Sequence, residues 1–372
     1  MQSKILIVTD TYYPMMDGVL KSIEEYISKS KDKYDISILV PDTSTKKIKG
    51  IKTFFYKQSN LFKISIYPFP KWSFKNLSYI KKVIKDHDII FSHGPSFVGL
   101  YLSLRYGKKF NKKNVLYIHG IAWDFILHYF PLSRMIIKLF KKIIVIYYNS
   151  WDLLISPYHE AKEELEKAGV LSNIEIASLG VNTKIFKPVK KITEQKQKLL
   201  LPQKIIIGYV GRICKEKNTL LLLNAFKKLD SEKYFLLVVG DGHESILKQF
   251  KNYKNCRVTG FVHNVEEYLR AMDIFVMPSL TETTSLATLE AMSSGLAVIA
   301  SKVGYIKSYI QNNENGILFS HTDFILLSKT IEEVGSNEIL RNNFRNQARK
   351  TVVNYFSWDH TASEINKHLF NR

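Results

Sequence analysis

Short apolar runs alternate with longer segments of helical periodicity over most of the 372 residues. Apolar runs of this kind are typical of strands buried on both faces of a parallel sheet, and the segments between them are long enough for crossover helices. The first series of predicted strands is 5–8, 36–40, 89–91, 115–118 and 153–155, and the second is 205–210, 235–239, 257–259, 274–277, 297–300 and 317–319. The pattern predicts an α/β protein with two doubly wound parallel sheets.

Residues 187–198 separate the two series and are polar without apolar periodicity, so we interpret them as the interdomain linker. We expect an N-terminal domain over residues 1–186, a C-terminal domain over residues 187–352, and a last helix over residues 353–372 that returns to the N-terminal domain. The chain length agrees with two domains.

The composition excludes several classes of protein. A chain that is 45% hydrophobic and 13% aromatic buries a sizeable core, and 17 Gly, 10 Pro and 2 Cys exclude fibrous and disulfide-rich classes. Cys214 and Cys256 lack the spacing of a structural zinc site and indicate a reducing compartment. The apolar run at residues 4–8 is too short for a signal peptide, so we expect a cytoplasmic protein.

Most of the positive charge lies in one block. Residues 46–142 contain 20 Lys or Arg and three acids, Asp86, Asp88 and Asp124, so this block carries +17 of the net charge of +20. A block of one sign indicates an anionic partner, which is a membrane surface, a nucleic acid or an acidic substrate. The alternative is lysines scattered over solvated faces.

Two segments, the second of which ends one residue beyond the block, combine lysines with apolar residues, as do helices that lie in the headgroup plane of anionic membranes. The first contains Lys71, Trp72, Phe74, Lys75, Lys81 and Lys82, and the second contains Ile136, Lys138, Leu139, Phe140, Lys141, Lys142 and Ile143. Crossover helices pack on their sheet, so we expect the apolar residues of both segments to be buried there. Packing does not require the lysines, and these predict peripheral membrane association.

Ligands bind beyond the carboxyl ends of parallel strands, so the loops after the predicted strands are candidate sites. Gly18 follows the first strand and allows a close approach of the backbone to an anion, although a plain turn would explain it equally well. Arg212 and Lys217 follow the strand 205–210, at a spacing that lets both cations converge on one diphosphate.

A third loop follows the strand 274–277 and contains two carboxylates. Glu282 lies in the loop and Glu290 lies in the helix that Thr283, Thr284 and Ser285 begin, where free N–H groups can hold a phosphate. Carboxylates here are suited to accept hydrogen bonds from sugar hydroxyls. The alternatives are a charge that stabilises the helix N-terminus for Glu282 and a solvated helical face for Glu290.

In their order and spacing, these motifs resemble the retaining glycosyltransferases of family 4, which have the GT-B fold, and the resemblance covers almost the entire chain. The motifs are Asp17-Gly18-Val19, Ser92-His93-Gly94-Pro95, Tyr117-Ile118-His119-Gly120, Gly211-Arg212 followed by Glu216-Lys217, Gly240-Asp241-Gly242, Gly260-Phe261, and the pair of Glu282 and Glu290. The resemblance implies two Rossmann-like domains that face a central cleft.

The resemblance also implies a role for each matching residue. The residues expected to act in catalysis are His119, Arg212, Lys217 and Glu282. Those expected to bind a UDP- or GDP-sugar donor are Gly18, Arg212, Lys217, Gly260, Phe261, Val262, Glu282, Thr283, Thr284, Ser285 and Glu290. Arg212 and Lys217 would hold the diphosphate, Glu290 the ribose, and Glu282 and His119 the donor sugar. No metal or other cofactor is expected.

At two places the sequence departs from the family or the residue has another explanation. Many members of the family have Gly-Phe-Gly or a similar sequence after the first Glu, whereas this chain has Thr283, Thr284 and Ser285. For His119, a lone histidine after a strand is often a loop residue that serves packing.

We expect a metal-independent, retaining transfer of a hexose to a lipid-linked acceptor at the cytoplasmic face of the membrane. The alternatives are a soluble or polysaccharide acceptor, or a sugar-nucleotide epimerase of the same fold. No helix-turn-helix, zinc-finger or RNA-recognition signature accompanies the basic block, so no nucleic-acid partner is expected.

Overall fold

The computed structural model describes residues 3–15, 18–44, 46–64, 67–94, 98–123 and 134–371. The chain divides into two units: unit 1 comprises Met1–Leu179 and Thr361–Arg372, and unit 2 comprises Gly180–His360. The chain therefore passes from unit 1 into unit 2 and then returns. The boundaries expected from the sequence lie within eight residues of these.

Unit 1 is built around a parallel sheet. Its strands are β1 (Lys4–Val8), β2 (Asp35–Pro41), β3 (Lys52–Tyr56), β4 (Gln58–Ile64), β5 (Tyr67–Pro70), β6 (Ile89–His93), β7 (Lys113–Tyr117), β8 (Leu153–Ser156) and β9 (Ile174–Ile176). Seven of them form one sheet in the order β3-β2-β1-β6-β7-β8-β9, and β4 and β5 form a separate antiparallel pair. The helices between them are α1 (Gly18–Ser30), α2 (Phe74–Lys85), α3 (Val98–Lys109), α4 (Arg134–Tyr148) and α5 (His159–Lys167).

Unit 2 repeats this plan with a parallel sheet in the order β12-β11-β10-β13-β14-β15. Its strands are β10 (Ile205–Val210), β11 (Tyr234–Val239), β12 (Cys256–Val258), β13 (Ile274–Met277), β14 (Ala297–Ser301) and β15 (Ile317–Phe319). Its helices are α6 (Ile192–Lys198), α7 (Thr219–Phe226), α8 (Glu244–Lys251), α9 (Val265–Leu269), α10 (Leu286–Ser293), α11 (Ile306–Tyr309), α12 (Phe324–Ser336) and α13 (Glu338–Tyr355).

The central strands are apolar on both faces, which is why they fold into the middle of covered parallel sheets. Ile7 pairs with Ile38 on one side and Phe91 on the other, and all three are fully buried. In unit 2, Ile207 lies between Leu236 and Ile274 in the same way. The predicted strands of each series are therefore confirmed.

The strand order of unit 2 reverses between β10 and β13. The chain runs outward from β10 through β11 to β12 and then returns to place β13 on the other side of β10. Ligands of open parallel sheets bind at such a switch point, beyond the carboxyl ends of the strands. In unit 1 the equivalent reversal lies between β1 and β6.

The segment interpreted as the interdomain linker contains a helix that is anchored in unit 2. In α6, Nζ of the buried Lys196 lies 2.7 Å from Oδ2 of Asp273, and the same oxygen accepts a hydrogen bond from the amide of Ile206 at 2.8 Å. An ion pair rather than an apolar stripe fixes α6, which is why the hydrophobic pattern gave no sign of it.

The last helix, α14 (Trp358–Phe370), lies mostly in unit 1. Nζ of Lys113 donates to the main-chain oxygens of His368, Leu369 and Asn371 at 3.2, 2.9 and 2.6 Å. The hydroxyl of Tyr26 donates to Asn366 at 2.8 Å. A cation on the last carbonyls of a helix satisfies acceptors that the helix itself leaves unpaired.

Candidate functional site

The loop after β10 is held rigidly against the loop after β11. The amide of Ile213 donates to the carbonyl of Asp241 at 2.8 Å, and the amide of His243 donates back to the carbonyl of Ile213 at 2.9 Å. A Cβ atom on Gly242 would lie 2.0 Å from the oxygen of Ile213, so only glycine permits this approach. The backbone that carries Arg212 and Lys217 is thereby fixed.

Arg212 lies on the surface of this loop, with 73% of its side chain exposed, and its Nη2 is 3.5 Å from Oε2 of Glu216. The hydroxyl of the buried Tyr209 donates to the main-chain oxygen of Arg212 at 2.7 Å. Burial raises the pKa of Tyr209 well above its ordinary value, and the charge of Glu282 adds to the shift. Tyr209 is therefore a neutral donor that holds the backbone of Arg212.

Lys217 and Glu282 form an ion pair across the switch point of unit 2. Nζ of Lys217 lies 2.7 Å from Oε1 of Glu282, and only 16% and 7% of the two side chains are exposed. The same carboxylate oxygen accepts a hydrogen bond from the hydroxyl of Ser279 at 2.7 Å. The structure thus brings together two residues that the sequence placed 65 positions apart.

The loop after β13 is tied to its neighbours through its main chain. The amide of Leu280 donates to the carbonyl of Glu216 at 2.9 Å, and the hydroxyl of Ser301 donates to the carbonyl of Ser279 at 2.6 Å. A Cβ atom on Gly304 would lie 1.7 Å from the main-chain oxygen of Glu282. This close approach requires glycine, and it fixes the backbone from which the carboxylate extends.

Residues 283–285 form the turn that leads into α10, and Ser285 has a backbone conformation there that serine rarely adopts. Ser285 has φ of 49°, in the left-handed region that costs a non-glycine residue about 1 kcal/mol or more. Thr284 is buried, and its hydroxyl oxygen has no hydrogen-bond partner within the described part of the chain. The N-terminus of a helix favours anions, and a buried hydroxyl without a partner is available to a ligand there.

Glu290 lies in α10 and is buried, with 6% of its surface exposed. The interpretation as a solvated helical face is therefore wrong. Carboxylates are rarely buried in proteins unless they are paired, so the burial of Glu290 indicates that its carboxylate interacts with other groups.

Residues 260–262 lie beside the same set of loops. Gly260 has φ of 74° and pairs with Gly240 in an isolated bridge, and Gly240 in turn contacts Gly211. The ring of Phe261 is exposed and meets His263 edge-on at 5.0 Å. All the candidate residues of unit 2 therefore lie on loops that contact one another or on the helix that begins there.

Two candidate residues belong to unit 1. Gly18 is the exposed first residue of α1; Met16 and Asp17 before it lie outside the described residues. His119 follows β7, and its Nε2 lies 2.9 Å from Nδ1 of His93, the last residue of β6. Burial lowers the pKa of His119 to about 3, so the ring is neutral at physiological pH.

Three residues near these sites were missed from the sequence. Ser279 and Tyr209 contact Glu282 and the backbone of Arg212, as described above. In unit 1, Asp10 after β1 is buried and accepts a hydrogen bond from the hydroxyl of Tyr56. The position of Ser279, two residues after a strand, is the one sequence signal that could have identified it.

The apolar residues of α4 are not buried on the sheet, and this expectation was wrong. Leu139, Phe140, Ile143 and Ile146 are exposed, whereas Ile144 and Tyr148 are buried. Positions 139, 143 and 146 share one helical face, and Lys138 and Lys142 border it with exposed side chains. The side chain of Ile136 lies outside the described residues.

Aromatic residues at the start of α2 are also exposed, namely Trp72 and Phe74, at 61% and 90%. The helix packs on the sheet through Ile80, Val83 and Ile84 instead. Of the other lysines that were predicted to face a membrane, Lys71, Lys75 and Lys82 are exposed. Lys81 lies over the ring of Phe110, and Lys141 lies over the ring of Trp123.

Two kinds of feature are absent from the described residues. No helix there is both long and apolar enough to cross a membrane. No group of three or more His, Cys, Asp or Glu side chains there is arranged to hold a metal ion.

Comparison with known proteins identifies two family matches that together span most of the chain. Residues 28–185 match the family described as Glycosyltransferase Family 4, and residues 191–351 match that described as Glycosyl transferases group 1. The UDP-Gal:alpha-D-GlcNAc-diphosphoundecaprenol alpha-1,3-galactosyltransferase of Escherichia coli is 25% identical over 95% of this chain and 94% of its own. The alpha-monoglucosyldiacylglycerol synthase of Streptococcus pneumoniae is 24% identical over 85% of this chain and 75% of its own.

Among solved structures, HepE of Anabaena in complex with UDP and glucose superposes with a TM-score of 0.81 and 15% identity, and all of both chains is covered. This likeness concerns the fold. The predicted GT-B fold, with two Rossmann-like parallel-sheet domains, is confirmed.

Proposed function

Because the chain belongs to the glycosyltransferases of group 1 and family 4, we propose that it transfers a hexose from a UDP- or GDP-sugar to a lipid-linked acceptor. We propose further that the transfer retains the anomeric configuration and needs no metal. Glycosyl transfer itself follows from the family. The donor, the acceptor, the stereochemistry and the residue roles are the proposal.

The pairing of Lys217 with Glu282 carries the proposal for the donor site. An ammonium group placed at the switch point of the sheet, largely removed from water, is suited to neutralise the charge that develops on a diphosphate leaving group. Lysine has three N–H donors, so Lys217 can donate to a phosphate oxygen without leaving Glu282. Arg212, exposed on the same rigid loop, supplies a second cation with bidentate geometry.

Glu282 would accept hydrogen bonds from hydroxyls of the donor sugar through the oxygen that Lys217 and Ser279 do not contact. The two carboxylates of a glycosidase lie on opposite sides of the scissile bond, whereas Glu282 is paired with the ammonium group of Lys217 at 2.7 Å and shares one loop and helix with Glu290. This geometry supports a binding and electrostatic role over hydrolysis.

The start of α10 would hold a phosphate of the donor. The amides of Thr283, Thr284 and Ser285 lie at a helix N-terminus. The hydroxyl of Thr284, which has no hydrogen-bond partner among the residues that the structure describes, adds a further donor. Thr283 and Ser285 stand where many family members have glycines, and Thr284 stands where they have phenylalanine. Glu290, further along the helix, would bind the ribose hydroxyls, and the main chain of Gly260, Phe261 and Val262 would flank the nucleobase.

For unit 1 the proposed roles come from the family resemblance. Gly18 begins α1 without a side chain, which allows a phosphate to approach the amides of the first turn. His119 would contact the donor sugar as a neutral ring.

The lipid-linked acceptor is supported by the two relatives, which are named for acceptors on diphosphoundecaprenol and for a diacylglycerol product. A basic and apolar surface supports it too. In α4, Leu139, Ile143 and Ile146 form an exposed apolar face bordered by Lys138 and Lys142. Each lysine near an anionic surface contributes about 1 kcal/mol, so the helix is suited to bind reversibly at the cytoplasmic face of a membrane.

The donor is tested by thermal stabilisation of the purified protein with UDP, GDP and ADP, followed by their sugar forms. A ligand present at 100 times its dissociation constant stabilises by about 2.7 kcal/mol, which is readily measured. The sugar form that binds is then offered with polyprenyl-diphosphate-linked and diacylglycerol acceptors, in EDTA and in Mg²⁺. Proton NMR of the product reports the anomeric configuration.

Each outcome is informative. Conversion of the nucleotide sugar without transfer to any acceptor would favour the epimerase, and transfer only to soluble glycans would refute the lipid-linked acceptor. Activity that EDTA abolishes and Mg²⁺ restores would refute metal independence.

Membrane binding is tested by flotation with vesicles of phosphatidylglycerol and of phosphatidylcholine. We expect flotation with the anionic vesicles only, and a decrease of about tenfold or more in the Leu139→Ser/Ile143→Ser variant. Ile339→Ser is the matched control, because Ile339 is an exposed apolar residue of unit 2. Equal flotation of the wild type and the double variant would contradict a role for α4.

A further inference from the structure

Two histidines lie side by side at the carboxyl end of the sheet in unit 1. His93 ends β6 and pairs in register with Tyr117 of β7, and His119 lies two residues beyond Tyr117. Nδ1 of His93 and Nε2 of His119 are 2.9 Å apart, which is a hydrogen-bond distance. Since each neutral ring carries one proton, one of these nitrogens is the donor and the other the acceptor.

The surroundings of His93 indicate which ring donates. His93 is buried, its ring lies edge-on to Phe91 at 4.5 Å and stacks on Tyr117 at 5.6 Å, and its Nε2 has no hydrogen-bond partner among the residues that the structure describes. If Nδ1 of His93 were the acceptor, its proton would be on Nε2 and would form an N–H group buried among aromatic rings. Buried N–H groups without an acceptor are rarer in proteins than unpaired acceptors.

We propose that His93 is a positioning residue that donates its Nδ1–H to Nε2 of His119, so that His119 carries its own proton on Nδ1. The consequence for catalysis rests on the role proposed for His119 above. With Nε2 occupied, His119 offers the donor sugar an Nδ1–H group and acts as a fixed hydrogen-bond donor. It does not act as a general base.

The charge environment agrees with a neutral pair. Among the described residues, the aromatic rings that the two imidazoles contact are those of Phe91 and Tyr117, and the two imidazoles contact each other. Burial lowers the pKa of both histidines, and for His93 the charge on a protonated His119 lowers it further. A proton added to Nε2 of His119 would face the Nδ1–H of His93, so the hydrogen bond itself opposes protonation.

The tautomer is measured directly by long-range ¹H–¹⁵N correlation NMR of protein labelled with ¹⁵N-histidine. Loss of a signal in His119→Gln assigns the ring of His119. We expect the Nδ1–H tautomer for His119, unchanged between pH 8 and pH 5. An Nε2–H tautomer in the wild type would overturn the proposal, whatever the enzyme proves to transfer.

Two variants of His93 separate positioning from packing. His93→Leu removes the donor, and His93→Asn places an amide N–H₂ where Nδ1 lay. In His93→Leu we expect mixed tautomers of His119, a measurable titration above pH 5 and a fall in kcat of about tenfold, with little change in KM. His93→Asn restores the single tautomer and most of the lost kcat.

The possible failures are distinct. If His93→Leu leaves the tautomer and titration of His119 as in the wild type, the positioning role is refuted. If the NMR results hold but His119→Gln transfers sugar at the wild-type rate, the proposed role of His119 fails and the hydrogen bond stands. Should His93→Leu not fold, the wild-type tautomer and the His93→Asn spectrum still decide the matter.

Discussion

Replacement of Lys217 by methionine keeps the length of the side chain and leaves the carboxylate of Glu282 buried without its cation. Ser279 remains as a hydrogen-bond donor to Oε1 of Glu282. Removal of one partner from a buried ion pair typically costs about 3–5 kcal/mol, because the other charge stays desolvated. The lower value applies here, since Ser279 remains and 16% of the Lys217 side chain is already exposed.

A loss of about 3 kcal/mol should lower the midpoint of the unit 2 transition by about 6–12 °C, since 1 kcal/mol corresponds to about 2–4 °C in a domain of this size. The double variant Lys217→Met/Glu282→Gln removes both charges of the ion pair. We expect its loss of stability to be smaller than the sum of the losses in the two single variants. Differential scanning calorimetry of the full chain measures these midpoints.

Lys215→Met is the matched control. Lys215 is an exposed lysine on the same loop, and such a substitution changes stability by less than about 0.5 kcal/mol. If Lys217→Met melts at the same temperature as Lys215→Met, or if the double variant loses the sum of the single effects, then the ion pair does not hold the two loops together.

Three further predictions concern single residues. Arg212→Ala should leave the melting temperature within about 2 °C, since the side chain is exposed, yet lower kcat by about 30-fold, equivalent to about 2 kcal/mol; an unchanged kcat would remove Arg212 from catalysis. Glu290→Ala should weaken UDP binding by about tenfold or more in isothermal titration calorimetry, and wild-type affinity would refute its role at the ribose. Burial lowers the pKa of His119 to about 3 in the folded state, against about 6.5 in an unfolded chain, so the unfolded state binds more protons between these values. The free energy of unfolding should fall as the pH drops, and His119 should account for about 2 kcal/mol of the fall at pH 5. His119→Gln should reduce the fall by this amount without abolishing it, because burial also lowers the pKa of His93.

The sequence predicted the central strands because burial on both faces of a sheet leaves a continuous apolar run. Edge strands carry this signal unevenly: β12 and β15 of unit 2 were predicted, whereas β3 (KTFFY), β9 and the pair of β4 and β5 in unit 1 were missed. Helix α6 was missed for a related reason, since the ion pair of Lys196 and Asp273 anchors it where an apolar stripe would be expected.

For the candidate site, the sequence predicted which loops matter but not how their side chains pair. Lys217 and Glu282 lie close together because β10 and β13 are neighbours in the sheet, and this strand order was not predicted from the sequence. The exposed face of α4 was predicted wrongly, because helical periodicity identifies an apolar stripe but does not tell which side of the helix the sheet covers.

The return of α14 to unit 1 has a consequence for synthesis on the ribosome. Unit 2 is one uninterrupted segment, so all of its strands and helices have been translated before α14 begins. Lys113 and Tyr26, by contrast, can form their hydrogen bonds to residues 366–371 only after more than 240 further residues have been synthesised. During translation unit 1 is therefore the first to start folding and the last to be completed.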